Sequence, residues 1–270
     1  MSHSPNQSQS QSQRSPSSDE PIPYDPSTPK TYPQFLLFGD SITQGGSHVL
    51  QATLSEWYQR RLDVINRGFS GYTAPAAFET LRQFFPIVPP TPVSPRVQLM
   101  TVFFGANDAC VAGTPQHVPL EEYVQNLKNI IEYPPLRMHG TKVILVVPPP
   151  VDEWQLGNGE RTAVVTAQYA EACRQLGQEL GLPVLDLWTL FMSKAGWTPG
   201  QSGPLVGSKD APKNPVLDSL LSDGLHFTGP GYQLVVDELI QLIQTQLPDF
   251  TPDKLPQIFP DWRFMMRSRP

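Results

Sequence analysis

From residue 34 onward the chain switches repeatedly between two hydrophobic rhythms. Short, nearly unbroken apolar runs lie at 34–40, 63–66, 97–104, 142–147 and 183–187. Runs of that length without strict alternation predict strands buried on both faces. Between them the apolar residues recur at helical spacing. Leu120, Tyr123, Val124, Leu127, Ile130 and Ile131 fall on one face, which predicts a helix over 120–131. Leu50, Leu54, Trp57, Tyr58 and Arg61 suggest a helix over 48–62, and further helices are expected over 161–180 and 231–247, the last with Pro230 near its start. Strands separated by helices form βαβ units. The expected fold is therefore one α/β domain over 34–247, a three-layer α/β/α sandwich on a five-stranded parallel sheet. In such sheets the functional groups gather at the carboxyl ends of the strands.

The ends of the chain differ from this middle. Twelve of the first twenty residues are Ser or Gln, and five of the next thirteen are Pro. Residues 1–33 are expected to be a disordered leader, because too little apolar surface is present to offset the entropy of ordering. The leader lacks the basic start and apolar stretch of a secretory signal, so the cytosol is the expected compartment. Residues 248–270 are richer in apolar groups, with Phe250, Leu255, Ile258, Phe259, Trp262, Phe264, Met265 and Met266. This C-terminal extension is expected to pack on the domain or on a second subunit, giving a homodimer.

Composition narrows the function. With 19 Lys+Arg against 25 Asp+Glu, the net charge of −6 argues against nucleic acid as a partner. No apolar run approaches the ~20 residues of a membrane span. Two cysteines, Cys110 and Cys173, are too few for a disulfide scaffold and are expected as free thiols. No cluster has metal-ligand spacing, so neither a metal nor a cofactor is expected.

Four short motifs carry candidate chemistry. The first strand ends in Gly39-Asp40-Ser41-Ile42-Thr43. A serine at a strand-to-helix turn exposes its hydroxyl as a nucleophile needs, though it can equally cap the helix. Gly71, in Gly68-Phe-Ser-Gly71, offers a backbone N–H to a bound oxygen or makes a plain turn. Asn107, in Gly105-Ala-Asn107-Asp108, can aim a neutral amide at the same point or serve as a turn residue. Near the C-terminus stands Asp223-Gly-Leu-His226. At that spacing a carboxylate can orient an imidazole and leave its other nitrogen free as a base. His3, His48, His117 and His139 have no such partner. Asp40 and Asp108 are expected to organise their turns, and Asp152 and Glu153 to hold a loop. Cys110 reads as a buried thiol. Trp154 and Trp197 either line a pocket or pack.

The four motifs, in this order, resemble the blocks of the SGNH hydrolase superfamily, the GDSL esterases and lipases. The resemblance spans about residues 34–247. It implies a flavodoxin-like SGNH fold and a serine esterase working through an acyl-enzyme. It also implies Ser41, Asp223 and His226 as the catalytic residues, and Ser41, Gly71 and Asn107 as the oxyanion hole. Phe38-Gly-Asp-Ser-Ile-Thr-Gln44, Phe104-Gly-Ala-Asn-Asp-Ala109, Pro148-Pro-Pro-Val-Asp-Glu153, Asp223-Gly-Leu-His-Phe-Thr228 and Leu255-Pro-Gln-Ile-Phe-Pro-Asp-Trp262 further resemble the isoamyl acetate-hydrolysing esterase branch. That branch implies small-molecule esters, of short-chain acetate type, as substrates. The Gly/Pro-rich stretch 198–215, shortly before His226, departs from the pattern and could reshape the pocket. Competing readings are an SGNH lipase, thioesterase, carbohydrate deacetylase or acyltransferase, an inactive scaffold, and a flavodoxin-like anion-binding module. The last fits poorly, because no G-x-x-x-x-G-K-[ST] or G-x-G-x-x-G follows the first strand.

Overall fold

The structure, a computed structural model, describes residues 29–267. Most of the expected leader lies outside those residues. Five strands form the sheet: β1 (Gln34–Gly39), β2 (Asp63–Gly68), β3 (Val97–Phe103), β4 (Lys142–Val147) and β5 (Val184–Asp186). Their order is β2-β1-β3-β4-β5 and every pairing is parallel. This is the flavodoxin-like doubly wound arrangement.

Eleven helices are seen among the described residues. They are α1 (Ser41–Gly45), α2 (Leu50–Trp57), α3 (Ala74–Phe84), α4 (Leu120–Ile131), α5 (Pro134–His139), α6 (Glu153–Leu156), α7 (Ala163–Glu179), α8 (Leu187–Lys194), α9 (Pro215–Leu220), α10 (Gly229–Gln246) and α11 (Trp262–Arg267). Successive residues of β1 point to opposite faces and feed two separate cores. Phe35 and Leu37 pack with Leu54 of α2, Phe191 of α8 and Val236 of α10. Leu36 and Phe38 pack with Leu81 of α3, Tyr123 of α4 and Cys173 of α7. The three-layer sandwich expected from the apolar runs is thus the observed fold.

The expected helix over 48–62 is shorter in the structure. A short 3-10 turn, Gly46–His48, precedes α2, and α2 ends at Trp57. The cause lies just beyond: Arg60 takes a positive φ of 62°, which an α-helix does not admit. Tyr58 is fully buried and its hydroxyl donates to the Phe250 carbonyl. Arg61 donates to Pro252 O, and Arg60 to Phe259 O and Pro260 O, so the segment after α10 lies against the end of α2. Tyr32, just before β1, meets Phe259 edge-on.

Register brings three strand ends level. Gly39 sits opposite Gly68 on one side and Phe103 on the other. Gly68 lies hard against α1, where an added methyl would strike the backbone nitrogen and Cα of Gln44. We therefore expect Gly68→Ala to push α1 off β2 and to cost about 1–3 kcal/mol, the usual range for overpacking. Urea unfolding measures this, and an unchanged midpoint would show that α1 is free to shift.

Candidate active site

Ser41 is the first residue of α1, two residues beyond the end of β1. The cap of that helix is Asp40, whose Oδ1 accepts the Ile42 N–H at 2.9 Å. Ser41 Oγ instead lies 2.8 Å from His226 Nε2. The turn that presents it is clamped from two sides. Asn66 of β2 donates to Thr43 O at 2.7 Å, and Tyr232 of α10 donates its hydroxyl to Ile42 O at 2.7 Å.

Asp223 explains the spacing to His226. One of its oxygens, Oδ1, accepts the N–H groups of both Leu225 and His226 and so folds the four residues into a tight turn. The other, Oδ2, lies 2.7 Å from His226 Nδ1. Gly224 has a positive φ of 86°, and a methyl on it would meet Asp152 O and Leu156 N. The turn therefore needs glycine in its second position. Partial burial raises the Asp223 pKa, but the bonds from the His226 N–H, the imidazole and Leu225 prevail and hold the carboxyl below its ordinary value. It stays ionised beside the imidazole.

Gly71 and Asn107 follow β2 and β3, and they share partners. Asn107 is buried and donates Nδ2 to Tyr72 O at 2.9 Å. Gln116 donates Nε2 to Gly71 O at 2.9 Å and to Asn107 Oδ1 at 3.2 Å. Gln44 of α1 accepts the Ser70 N–H, tying this loop to the serine turn. The four motifs, scattered over 185 residues, thus converge on one edge of the sheet.

Arg161 and Gln116 belong to this site and carry no motif in the sequence. Arg161 is 7% exposed and directs its guanidinium at Ala106 O, Asn107 Oδ1 and Gln116 Oε1. A buried Arg beside a Gly-x-Asn turn is visible only once the fold places them together.

The remaining expectations concern support. Asp108 Oδ1 accepts the N–H of Ala74 at the start of α3. Asp152 caps α6, and Glu153 accepts the Ala163 and Lys209 N–H groups. The stretch 198–215 docks on this loop, with Gly207 O accepting the Glu153 N–H and Ala211 O accepting the Trp154 indole N–H. Trp197 packs edge-on against Trp188. Cys110 and Cys173 are buried free thiols.

A hydroxyl, an imidazole and a carboxylate in hydrogen-bond series on such an edge form the arrangement that serine-type hydrolases use. The chain matches the GDSL-like lipase/acylhydrolase family over residues 37–234. It is 32% identical over 252 residues to the isoamyl acetate-hydrolyzing esterase of Saccharomyces cerevisiae, covering 86% of this chain and 94% of that one. It is 34% identical over 260 residues to the human isoamyl acetate-hydrolyzing esterase 1 homolog, covering 88% and 90%. Among solved structures, a lipase/acylhydrolase from Enterococcus faecalis superimposes with a TM-score of 0.55 at 23% identity, over 79% of this chain and 96% of that one. An acetyl xylan esterase does so with 0.59 at 18%, over 78% and 99%. The chain belongs to the GDSL-like lipase/acylhydrolase family and is a carboxylic ester hydrolase.

Two buried carboxylates underlie the serine turn. Burial pushes Asp40 up to about 7, helped by the nearby Asp108 and opposed by the Ile42 N–H and Arg161. Burial likewise raises Asp108 to about 7 against the Ala74 N–H. Among the described residues neither Oδ2 has a hydrogen-bond partner. A carboxyl whose folded pKa is raised stabilises the fold fully below its unfolded value, and that contribution is lost as pH rises through the folded value. Stability attributable to Asp40 should therefore decline from pH 4 to 7. Asp40→Asn keeps an acceptor for Ile42 and removes the titration. We expect its melting curve to decline less over that interval and to lie roughly 5 °C above the parent's at pH 8. Parallel curves would mean that Asp40 is ionised throughout.

Proposed function

We propose that this enzyme is a serine esterase that cleaves short-chain, acetate-type carboxylic esters through an acyl-enzyme. The observation that carries the reading is the unbroken relay from Ser41 Oγ to His226 Nε2 and from His226 Nδ1 to Asp223 Oδ2. Ser41 Oγ attacks the ester carbonyl and passes its proton to His226 Nε2. Asp223 fixes the tautomer and stabilises the imidazolium. The tetrahedral oxyanion is held by the N–H of Ser41, the N–H of Gly71 and the side-chain amide of Asn107. The Ser41 N–H suits this task because the first turn of a helix leaves its N–H groups without intrahelical partners. His226 then protonates the leaving alcohol, and water repeats the sequence on the acyl-enzyme. No metal ion or organic cofactor enters any step.

The substrate class rests on the yeast and human relatives, which are named for hydrolysis of isoamyl acetate. We place the enzyme's work in the cytosol. The two buried free thiols support a reducing compartment, and among the described residues no helix is long and apolar enough to cross a membrane. A homodimer joined through the exposed Trp262, Met265 and Met266 completes the reading.

Ser41→Ala should lower kcat by ~10⁴-fold or more, and Asn107→Ala by ~10²–10³-fold, with both proteins still folded and Asn107→Ala melting somewhat below the parent. Retained turnover in either variant removes that residue from its role. Across p-nitrophenyl esters from acetyl to palmitoyl, we expect acetyl or butyryl to be cleaved fastest, and isoamyl acetate to be hydrolysed. Preference for long chains would overturn the substrate and leave the chemistry standing. Light scattering on the eluting peak should give the mass of two chains; the mass of one removes the dimer.

A further inference from the structure

Arg161 is costly where it stands. Its guanidinium is buried, yet its hydrogen-bond acceptors are three neutral oxygens: Ala106 O at 2.8 Å, Asn107 Oδ1 at 3.0 Å and Gln116 Oε1 at 3.1 Å. It forms none of the salt bridges seen among the described residues. A buried cation without a direct counter-ion weakens a fold.

Its contacts show where that field goes. Asn107 Oδ1 receives two donors, the guanidinium and Gln116 Nε2, so its amide oxygen is turned toward Arg161 and its NH₂ toward Tyr72 O. Only one amide hydrogen is needed for Tyr72, and the second remains for a bound oxygen. Gln116 is oriented in the same way. Because its Oε1 faces Arg161, its Nε2 must face Gly71 O and Asn107 Oδ1. One cation thereby sets the direction of two side-chain amides and anchors the Gly71 loop. A cation on the carbonyl end of an amide also draws charge from its nitrogen and strengthens its N–H groups as donors.

We propose that Arg161, acting directly and through Gln116, is a positioning residue of the oxyanion site, which aligns and polarises the Asn107 amide and fixes the Gly71 loop. The inference rests on the proposed role of Asn107 as an oxyanion donor. It assigns Arg161 and Gln116 to transition-state stabilisation and not to substrate binding. Lysine cannot replace this arginine, since a single ammonium cannot span three acceptors held in a planar fork.

The test is a kinetic cycle on a short-chain p-nitrophenyl ester, with a trifluoromethyl ketone as an oxyanion-forming inhibitor. Arg161→Met, Arg161→Lys and Gln116→Leu are each made in the parent and in Asn107→Ala. In the parent we expect each to lower kcat by roughly 10–100-fold with KM changed less than about 3-fold, and to weaken the ketone by a similar factor. In Asn107→Ala the same changes should cost clearly less than in the parent, leaving only the part that acts through the Gly71 loop. A plain structural tie between Arg161 and the 106–116 loop would lower Tm and leave kcat per folded enzyme intact. Folded variants with parental kcat, or losses that multiply fully with Asn107→Ala, overturn the proposal. If Arg161→Met does not fold, the half-buried Gln116→Leu decides by the same criteria. Should Asn107→Ala itself retain full kcat, the oxyanion role of Asn107 fails, a result separate from any effect at Arg161.

Discussion

The bond from Asp40 to the Ile42 N–H is the constraint on which the site depends. A helix beginning straight after a buried strand leaves its first N–H groups facing apolar surroundings, and something must accept them. Asp40 does so at 2.9 Å from a fully buried position. Because the residue before the serine closes the helix, the serine hydroxyl is left for the imidazole. The arrangement has a cost, since the carboxyl resists ionisation in that setting and settles at about 7. Tyr232, Asn66 and the close approach of Gly68 then hold the short helix in place from α10 and from β2.

Much of this was legible from residue order. Five strands were readable because each is a short apolar run flanked by turn residues. The helices over 120–131, 161–180 and 231–247 were readable because their apolar faces recur at helical spacing; they appear as α4, α7 and α10. The helix α3 went unread because its buried face is made mostly of alanine, with Ala74, Ala77 and Leu81 pointing inward. The helix α8 was hidden for a different reason. Asp186 both ends β5 and caps α8, so no loop separates them, and Leu187-Trp-Thr-Leu-Phe-Met reads as a continuation of the strand. The 48–62 segment showed helical spacing throughout, and only the positive φ at Arg60 and the burial of Tyr58 stop it.

The site divides along the same line. Ser41, Gly71, Asn107, Asp223 and His226 were visible because each sits in a local pattern whose chemistry can be argued. Arg161 lies 54 residues from Asn107, at the start of the expected 161–180 helix, where nothing in the spacing marks it as part of a site. Its partner Gln116 is one polar residue in an irregular loop. Support groups of this kind act by contact across the fold, and linear spacing carries no trace of them.

The division of labour within Asp223 has a consequence of its own. One oxygen builds the turn and the other faces the imidazole, so architecture and chemistry are lodged in a single carboxylate. The four residues from Asp223 to His226 form one turn, in which the imidazole is aimed by the bend that carries it. The bend still leans on a neighbouring loop, because the Gly224 carbonyl accepts the Asp152 N–H and the Gly224 Cα leaves no room there for a side chain. Only an isosteric exchange can part the two roles of Asp223, since an Asn amide would keep an oxygen for the bend and turn a nitrogen toward the imidazole.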